Sequence, residues 1–353
     1  MKSEQTRRFL TQAGKFSWAV LLALLLGVLL LRVDGFSPGE VLSAAEWGIA
    51  SSDYRMANTI ARMTIIVLAA LAAAVPFSAG VWNIGGDGQL VMGAFAAAFV
   101  GFTITGVPIW VHLPLAILAA MLGGAAWAAI PALLRLKFDA NEIVTTIMMN
   151  YLAVLFTDYL VNYPFREPGS PSAQTVLMPE SATLPKLVSM SNLNAGLFLI
   201  IAAFLVIVFL IRGTVWGYEW RVLGSNEHFG RYGGVKDDRM RFLSMCVGGA
   251  LAGLAGGILV LGVYHRFLIN ISGGVGFNGV LIALIAANSP ILVMVISAIF
   301  ALVQSGVVGM EGKLGVAVEL SDILQSSIIL MVIVREKLWS LLKTIFRRRK
   351  TEA

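Results

Sequence analysis

The sequence predicts an all-α integral membrane protein of about ten transmembrane segments, on three observations. The 353 residues are 58% hydrophobic and 13% charged, against roughly 25% charged residues in soluble domains. Mean hydropathy is +0.83. Apolar runs near or above the roughly 18 residues that cross a bilayer as a helix recur along the whole length, which excludes a globular domain with a single anchor. No stretch is left over for a soluble domain, so residues 1–353 read as one transmembrane domain.

In chain order, the first segment, 16–33, follows the basic start MKSEQTRRFLTQAGK. It has the composition of a signal peptide, but no A-x-A-like cleavage site follows, and it is read as a retained helix. Segments 58–79, 87–106, 113–134 and 142–162 complete a first half, 16–162. Residues 163–194 carry five prolines and read as a long outer, periplasmic loop. The sixth segment is 195–211. Residues 212–241 then mix aromatic, charged and small residues, and YEWRVLGSNEHFGRY predicts one or two short amphipathic helices ended by Gly233 and Gly234. A second half, 242–334, holds 242–262, 276–288, 291–309 and 319–334, before a basic tail at 335–353. The eighth segment is too short to span alone unless it is a half-helix or part of a broken one.

Placing the N-terminus inside puts 19 of the 26 Lys and Arg residues in the start, the tail and the inner loops. That bias predicts both termini in the cytoplasm. The same bias accounts for the net charge of +6, which otherwise invites a nucleic-acid partner; none is expected. The single Cys246 sits in an apolar run and forms no internal disulfide, so it leaves the redox compartment open.

Three polar clusters interrupt the apolar pattern. In VWNIGGDGQLVMGAF, Asn83, Asp87 and Gln89 stand among glycines. An ionised carboxylate facing lipid costs about 2.5 to 3.5 kcal/mol at a helix centre, so Asp87 faces water or a partner. Gly85, Gly86 and Gly88 let the backbone leave helical geometry, and Asp87 then either caps the next helix or meets a ligand. A helix break at this depth survives only where protein or a wetted cavity surrounds it. In the second cluster, NEIVTTIMMNYLA, Asn141, Thr145 and Asn150 recur near helical spacing, as do Glu142 and Thr146, which gives a polar face that lines a pore or glues helices together. In the third, SGGVGFNGVLIALIAANSP, Phe277 and Asn278 offer a ring and an amide to a planar or sugar-like ligand, or simply pack. Asn288 before Ser289 and Pro290 predicts a second break. By contrast, Gly249, Gly253 and Gly257 form a helix-packing seam.

GGDG at 85–88 and GGVG at 273–276 each precede an apolar segment, and the preceding segments run in opposite directions. Two such halves make an inverted repeat, a common plan of transporters. The three histidines, His112, His228 and His265, have no metal-ligand spacing, and no metal site is expected. No G-x-x-x-x-G-K-[ST] is present, so the chain is not its own P-loop ATPase.

Together these clusters resemble the membrane permeases of bacterial ATP-binding-cassette importers for nucleosides and simple sugars, relatives of the ribose and branched-chain amino acid permeases. NIGGDGQ is similar to the family's N-I-G-x-E/D-G-Q, NEIVTTIMMNY to its N-E-x-x-T-T-x-M-x-N-Y, and GFNGVLIALIAANSP to its third motif. The resemblance implies separate ATPase subunits, which hold the ATP and Mg, with no cofactor on this chain. It further implies a second permease subunit, identical or different, a periplasmic or lipid-anchored substrate-binding protein, and residence in the bacterial inner membrane among its lipids. RVLGSNEHFGRYGGV resembles the family's coupling helix, with Arg221, Gly224, Asn226, Glu227, Gly230 and Tyr232 as candidate ATPase contacts. Departures are Asp87 in place of the commoner glutamate, His228 and Phe229 in place of small residues, and Ala286 in place of glycine. The substrate path is assigned to Asn83, Asp87, Gln89, Glu142, Thr146, Asn150, Phe277 and Asn278. No bond chemistry is expected of the chain. The alternatives are an ion-coupled secondary transporter using Asp87 and Glu142, and an intramembrane enzyme for which Asp87, Glu142 and Asp158 do not obviously converge.

Overall fold

The structure, a computed structural model, describes residues 35–317 together with Arg32, Ile323, Ser326 and Ser327. The expected first and tenth segments and the basic tail lie outside the described residues, apart from those isolated positions. Among the described residues every regular element is helical: α1 (Pro38–Ala50), α2 (Asp53–Ser78), α3 (Gly86–Thr103), α4 (Ile109–Phe138), α5 (Glu142–Asn162), α6 (Gly196–Gly213), α7 (Val215–Ser225), α8 (Glu227–Tyr232), α9 (Asp237–Leu259), α10 (Val275–Ile285) and α11 (Pro290–Leu314). Six are long and apolar enough to cross a membrane, namely α2, α4, α5, α6, α11, and α9 with the π turn Val260–Tyr264 that extends it. The protein is therefore a multi-pass, all-helical membrane protein. The expected segments 87–106 and 276–288 are not among the six. In α3 the polar first turn with Asp87 and Gln89 dilutes the apolar run, and α10 has only 11 residues.

The chain divides into two compact units, one of Met1–Met56 with Leu302–Ala353 and the other of Ala57–Ala301. In the first, α1 opens with a complete capping box: Ser37 accepts from the Glu40 N–H, and the Glu40 carboxylate accepts from the Ser37 N–H at 2.8 Å. Those bonds hold the Glu40 carboxyl below its ordinary value. Gly48 and Gly309 bring α1 against the end of α11 with no room for a side chain. Arg55 stacks over the Trp47 ring at 3.4 Å.

In the second unit the most buried spans are α2 and α9, with 83% and 78% of their apolar windows covered. Small residues permit it: Gly249 meets Gly124 and Ala128, Gly253 meets Ala120 and Gly124, and Gly256 meets the Leu90 carbonyl. Gly249 and Gly253, with Gly257 against Ala120, form the glycine seam expected from the sequence, and Gly256 adds a contact on another face. By contrast α4, α5 and α6 are only 22–28% buried and present long apolar faces outward.

Two breaks interrupt the spans. After α2 the chain is irregular through 79–85, with Gly80 at φ +74, and α3 then begins. After the π turn it is irregular again through 265–274, with His265, Gly273 and Gly274 in left-handed conformation, and α10 begins. A third irregularity is the expected one: Ala287 and Asn288 turn left-handed at φ 46 and 60 before Pro290 starts α11.

The proline-rich loop is folded against the second break. Leu184, Met178 and Thr175 donate backbone N–H groups to the carbonyls of Leu261, His265 and Phe267 at 2.8, 3.0 and 3.1 Å. Arg266 pairs with Glu167 at 2.8 Å. Phe165 inserts among Phe95, Phe99 and Phe102 of α3, with ring centroids 5.5–5.8 Å away. His112, wholly buried, ties α4 to this loop through Ser181 Oγ at 2.9 Å. The loop thus clasps the end of α3 and the irregular segment leading into α10.

Candidate translocation site

Residues 82–88 are extended or only beginning to coil, so their backbone groups need partners from outside the segment. Helix α5 supplies them. Its N-cap Asn141 accepts from the N–H groups of Ile143 and Val144, which fixes the helix start. Residues at i, i+4 and i+8 then line one face. Glu142 Oε1 accepts from the Trp82 N–H at 3.1 Å, and Thr146 Oγ1 accepts from the Ile84 N–H at 3.3 Å. Asn150 completes the set: its amide donates to the Ile84 carbonyl at 3.0 Å and its oxygen accepts from the Gly88 N–H at 2.8 Å. Gly88 is obligatory, because a Cβ there would stand 2.9 Å from Asn150 Cα. The first two sequence clusters are therefore one structure.

Asn83 and Gln89, both fully buried, pair head to head. Asn83 Nδ2 donates to Gln89 Oε1 at 3.0 Å, and Gln89 Nε2 donates to Asn83 Oδ1 at 2.8 Å. Asn83 Oδ1 also accepts from the Gly85 N–H at 3.1 Å. The two amides thereby set the angle at which the chain turns into α3.

Asp87 settles in a place the sequence did not indicate. Gly85 stands at the N-cap of its own helix α3 and supplies no side-chain bond. The carboxyl instead crosses to the other break, where Oδ1 accepts from the Gly276 N–H at 3.1 Å and Oδ2 from Ser272 Oγ at 3.0 Å. It is a cap, but of α10. Both Asp87 and Gly276 occupy the second helical position of their helices, and a Cβ on Gly276 would run into the Asp87 backbone. Two helix N-termini thus meet at one buried carboxyl, which their dipoles favour. The contacts behind them correspond: α10 lays Gly279 on Ala69 of α2, and α3 lays Leu90 on Gly256 of α9. Beside this junction Phe277 is exposed, at 43%, and Asn278 is half-buried.

The segment 212–241 folds into α7 and α8, ended by Gly233 as expected. Thr214 and Asn226 are their N-caps. Trp220, wholly buried, donates its indole N–H to the Met240 carbonyl at 2.9 Å. Gly224 presses on the Ser78 carbonyl at the first break, and Gly230 on Leu223. Glu227 turns inward, pairing with Arg231 at 2.6 Å and Arg241 at 2.7 Å; both arginines also hold Asp237. The Asp237 hydrogen bond and the two carboxylates keep the Arg231 guanidinium above its ordinary value. Arg221 and Tyr232 point outward, Tyr232 at 95% exposure, joined by Phe229 at 63%. Of the six candidate contacts, Arg221, Gly224, Asn226 and Tyr232 are exposed, and Gly224, Asn226, Glu227 and Gly230 also shape the fold that presents them.

A protein-family model described as "Branched-chain amino acid transport system / permease component" matches residues 55–334. The chain belongs to this family of permeases. The match takes in both breaks, the α5 stripe and the α7–α8 segment. Similar relatives include the guanosine ABC transporter permease protein NupP of Bacillus subtilis, 33% identical over 320 residues, with 89% of the permease and 91% of the relative covered. The glucose ABC transporter permease protein TsgB13 of Haloferax volcanii is 31% identical over 327 residues, covering 90% and 86%. The nucleoside ABC transporter permease protein NupB of Lactococcus lactis is 30% identical over 329 residues, covering 90% and 89%. What sequence reasoning missed in the permease is Ser272, the second partner of Asp87; its only signal is a hydroxyl just before the glycine pair.

The cap assignment makes a prediction. Asp87→Asn keeps an oxygen for the Gly276 N–H and offers an amide to Ser272 Oγ, so uptake is expected to stay within a few-fold of the parent. Asp87→Ala strands a buried N–H, at about 1–3 kcal/mol, and is expected to lower both uptake and melting temperature. Equal loss in the two variants would instead indicate that the carboxyl itself is needed.

Proposed function

We propose that this permease is the membrane subunit of an ATP-binding-cassette importer, carrying nucleosides, or failing those simple sugars, into the cytoplasm. The observation that carries the reading is the junction at Asp87, where the breaks after α2 and α9 meet in a chain of this family. Interrupted helices whose N-termini face one another are the usual frame of a transport site. The corresponding contacts α3–α9 and α10–α2 support an inverted repeat; in this reading the protein has ten segments, and the Lys and Arg bias supports both termini on the cytoplasmic side of a bacterial inner membrane. The guanosine, nucleoside and glucose permeases among its relatives support an uncharged, hydroxyl-rich substrate.

In this reading ATP and Mg belong to separate ATPase subunits, a second permease completes the channel, and a periplasmic or lipid-anchored protein delivers substrate at the 163–194 loop. The ATPase docks on the face bearing Arg221, Phe229 and Tyr232. Closure of the ATPase dimer moves α7 and α8, and Gly224 passes the movement to Ser78 and the first break. Substrate then passes Phe277 and Asn278 along weak hydrogen bonds, since a tight site would trap it. Asn83, Gln89, Glu142, Thr146 and Asn150 hold the walls, and the energy comes from the different affinities of two states.

The test is uptake of labelled guanosine and glucose into vesicles holding the permease with its genomic neighbours. Guanosine uptake that requires ATP, the ATPase and the binding protein is expected. Uptake by the lone permease driven by a proton or sodium gradient would overturn the proposal.

A further inference from the structure

Between the α4–α5 turn and the start of α9 lies a cavity of about 160 Å³, with Leu136 and Met245 on its apolar floor. Its two charged walls differ. On the α8–α9 side, Glu227, Arg231, Asp237 and Arg241 satisfy one another in the closed ion network described above. On the other side Arg135 pairs with the exposed Asp139 at 3.1 Å, and Glu142 is left short of a partner. Arg135 Nε and Glu142 Oε2 are 3.6 Å apart, too far for a hydrogen bond, and Glu142 Oε2 is buried with no hydrogen-bond partner. A buried acceptor without a donor costs about 1–3 kcal/mol, more when charged, and calls for a guest.

We propose that this cavity binds the headgroup of a zwitterionic aminophospholipid, its ammonium on Glu142 and its phosphate on Arg135. The size fits a headgroup and not a whole small molecule, whose pockets run to roughly 300–1,000 Å³. The charges fit in order: Arg135 and Glu142 side by side match a phosphate joined by a short linker to an ammonium, the phosphate taking the place of the exposed Asp139 on Arg135. Location fits as well. The cavity stands where α4 ends and α9 begins, at the membrane boundary, and Leu133 and Phe138 of α4 lie exposed beside it as a surface for acyl chains. The inner leaflet follows from the orientation proposed above. Because Glu142 also holds Trp82, the lipid would bear on the first break.

Native mass spectrometry of the full chain in detergent, with graded phosphatidylethanolamine, phosphatidylcholine or phosphatidylglycerol, tests this. Phosphatidylethanolamine is expected to bind about tenfold more tightly than the others, since choline has no N–H to donate and glycerol no charge to pair with Glu142. Glu142→Gln, which keeps an acceptor for the Trp82 N–H, is expected to erase that preference. Arg135→Gln is expected to weaken all three lipids alike. Failure to retain any lipid, equal retention of phosphatidylcholine, or a preference surviving in Glu142→Gln would each overturn the proposal. The measurement needs no transport, so it succeeds or fails apart from the importer reading.

Discussion

Asn150→Ala is expected to reduce uptake at least tenfold and to lower the melting temperature by several degrees. The side chain serves two backbone groups of the first break, the Ile84 carbonyl and the Gly88 N–H, and it is 4% exposed. Truncation leaves both without partners, the Gly88 N–H fully buried and the Ile84 carbonyl partly so. Each costs about 1–3 kcal/mol, a large part of the total stability of an ordinary domain. Asn150→Asp retains the acceptor for Gly88 and loses the donor to Ile84, so an intermediate loss is expected. Asn141→Ala serves as the comparison. It removes an N-cap at an exposed helix end, worth about 1 kcal/mol, and is expected to leave uptake nearly intact. The check is uptake and thermal unfolding measured on the same preparations. If Asn150→Ala unfolds like the parent and transports normally, the α5 stripe does not hold the break.

The second large effect is expected from Gly276→Val. At this position α10 touches the backbone of Asp87, and even one added carbon overlaps it. Two helix N-termini would be forced apart, and the Asp87 carboxyl would lose its backbone donor. Overpacking in a tight interior commonly costs about 1–3 kcal/mol, to which the lost cap adds. Uptake is expected to vanish, and Gly276→Ala is expected to fall between. A control at Gly273, where a Cβ meets open space, separates tight packing from backbone conformation. Because Gly273 has φ +51, alanine there strains the chain without a clash. Equal losses at the two positions would point to the loop conformation and not to the junction.

The spans were legible because hydropathy and length are local properties, and α2, α4, α5, α6, α9 and α11 fall where apolar runs place them. The glycine end of α8 and the glycine seam of α9 were legible for the same reason. Partners distant in the chain were not. The polar face of α5 could be drawn from spacing, yet the object it grips is irregular backbone 60 or more residues earlier, which no periodicity announces. Asp87 was recognisable as a residue needing a partner, but the partner's position depends on how two breaks meet in space. Gly224 and Glu227 illustrate a further limit. Their residue types suit an intermolecular groove, whereas here one packs on Ser78 and the other closes an ion network.

The bond from Gly276 to Asp87 spans 189 positions, and this has a consequence for biosynthesis. When α3 leaves the ribosome during translation, the group that will receive its acidic side chain has not been made. The nascent protein must shelter that residue by other means until the final third emerges, through water, the insertion machinery or a temporary neighbour. Chains halted before Ser272 should therefore be the ones that membrane proteases remove fastest.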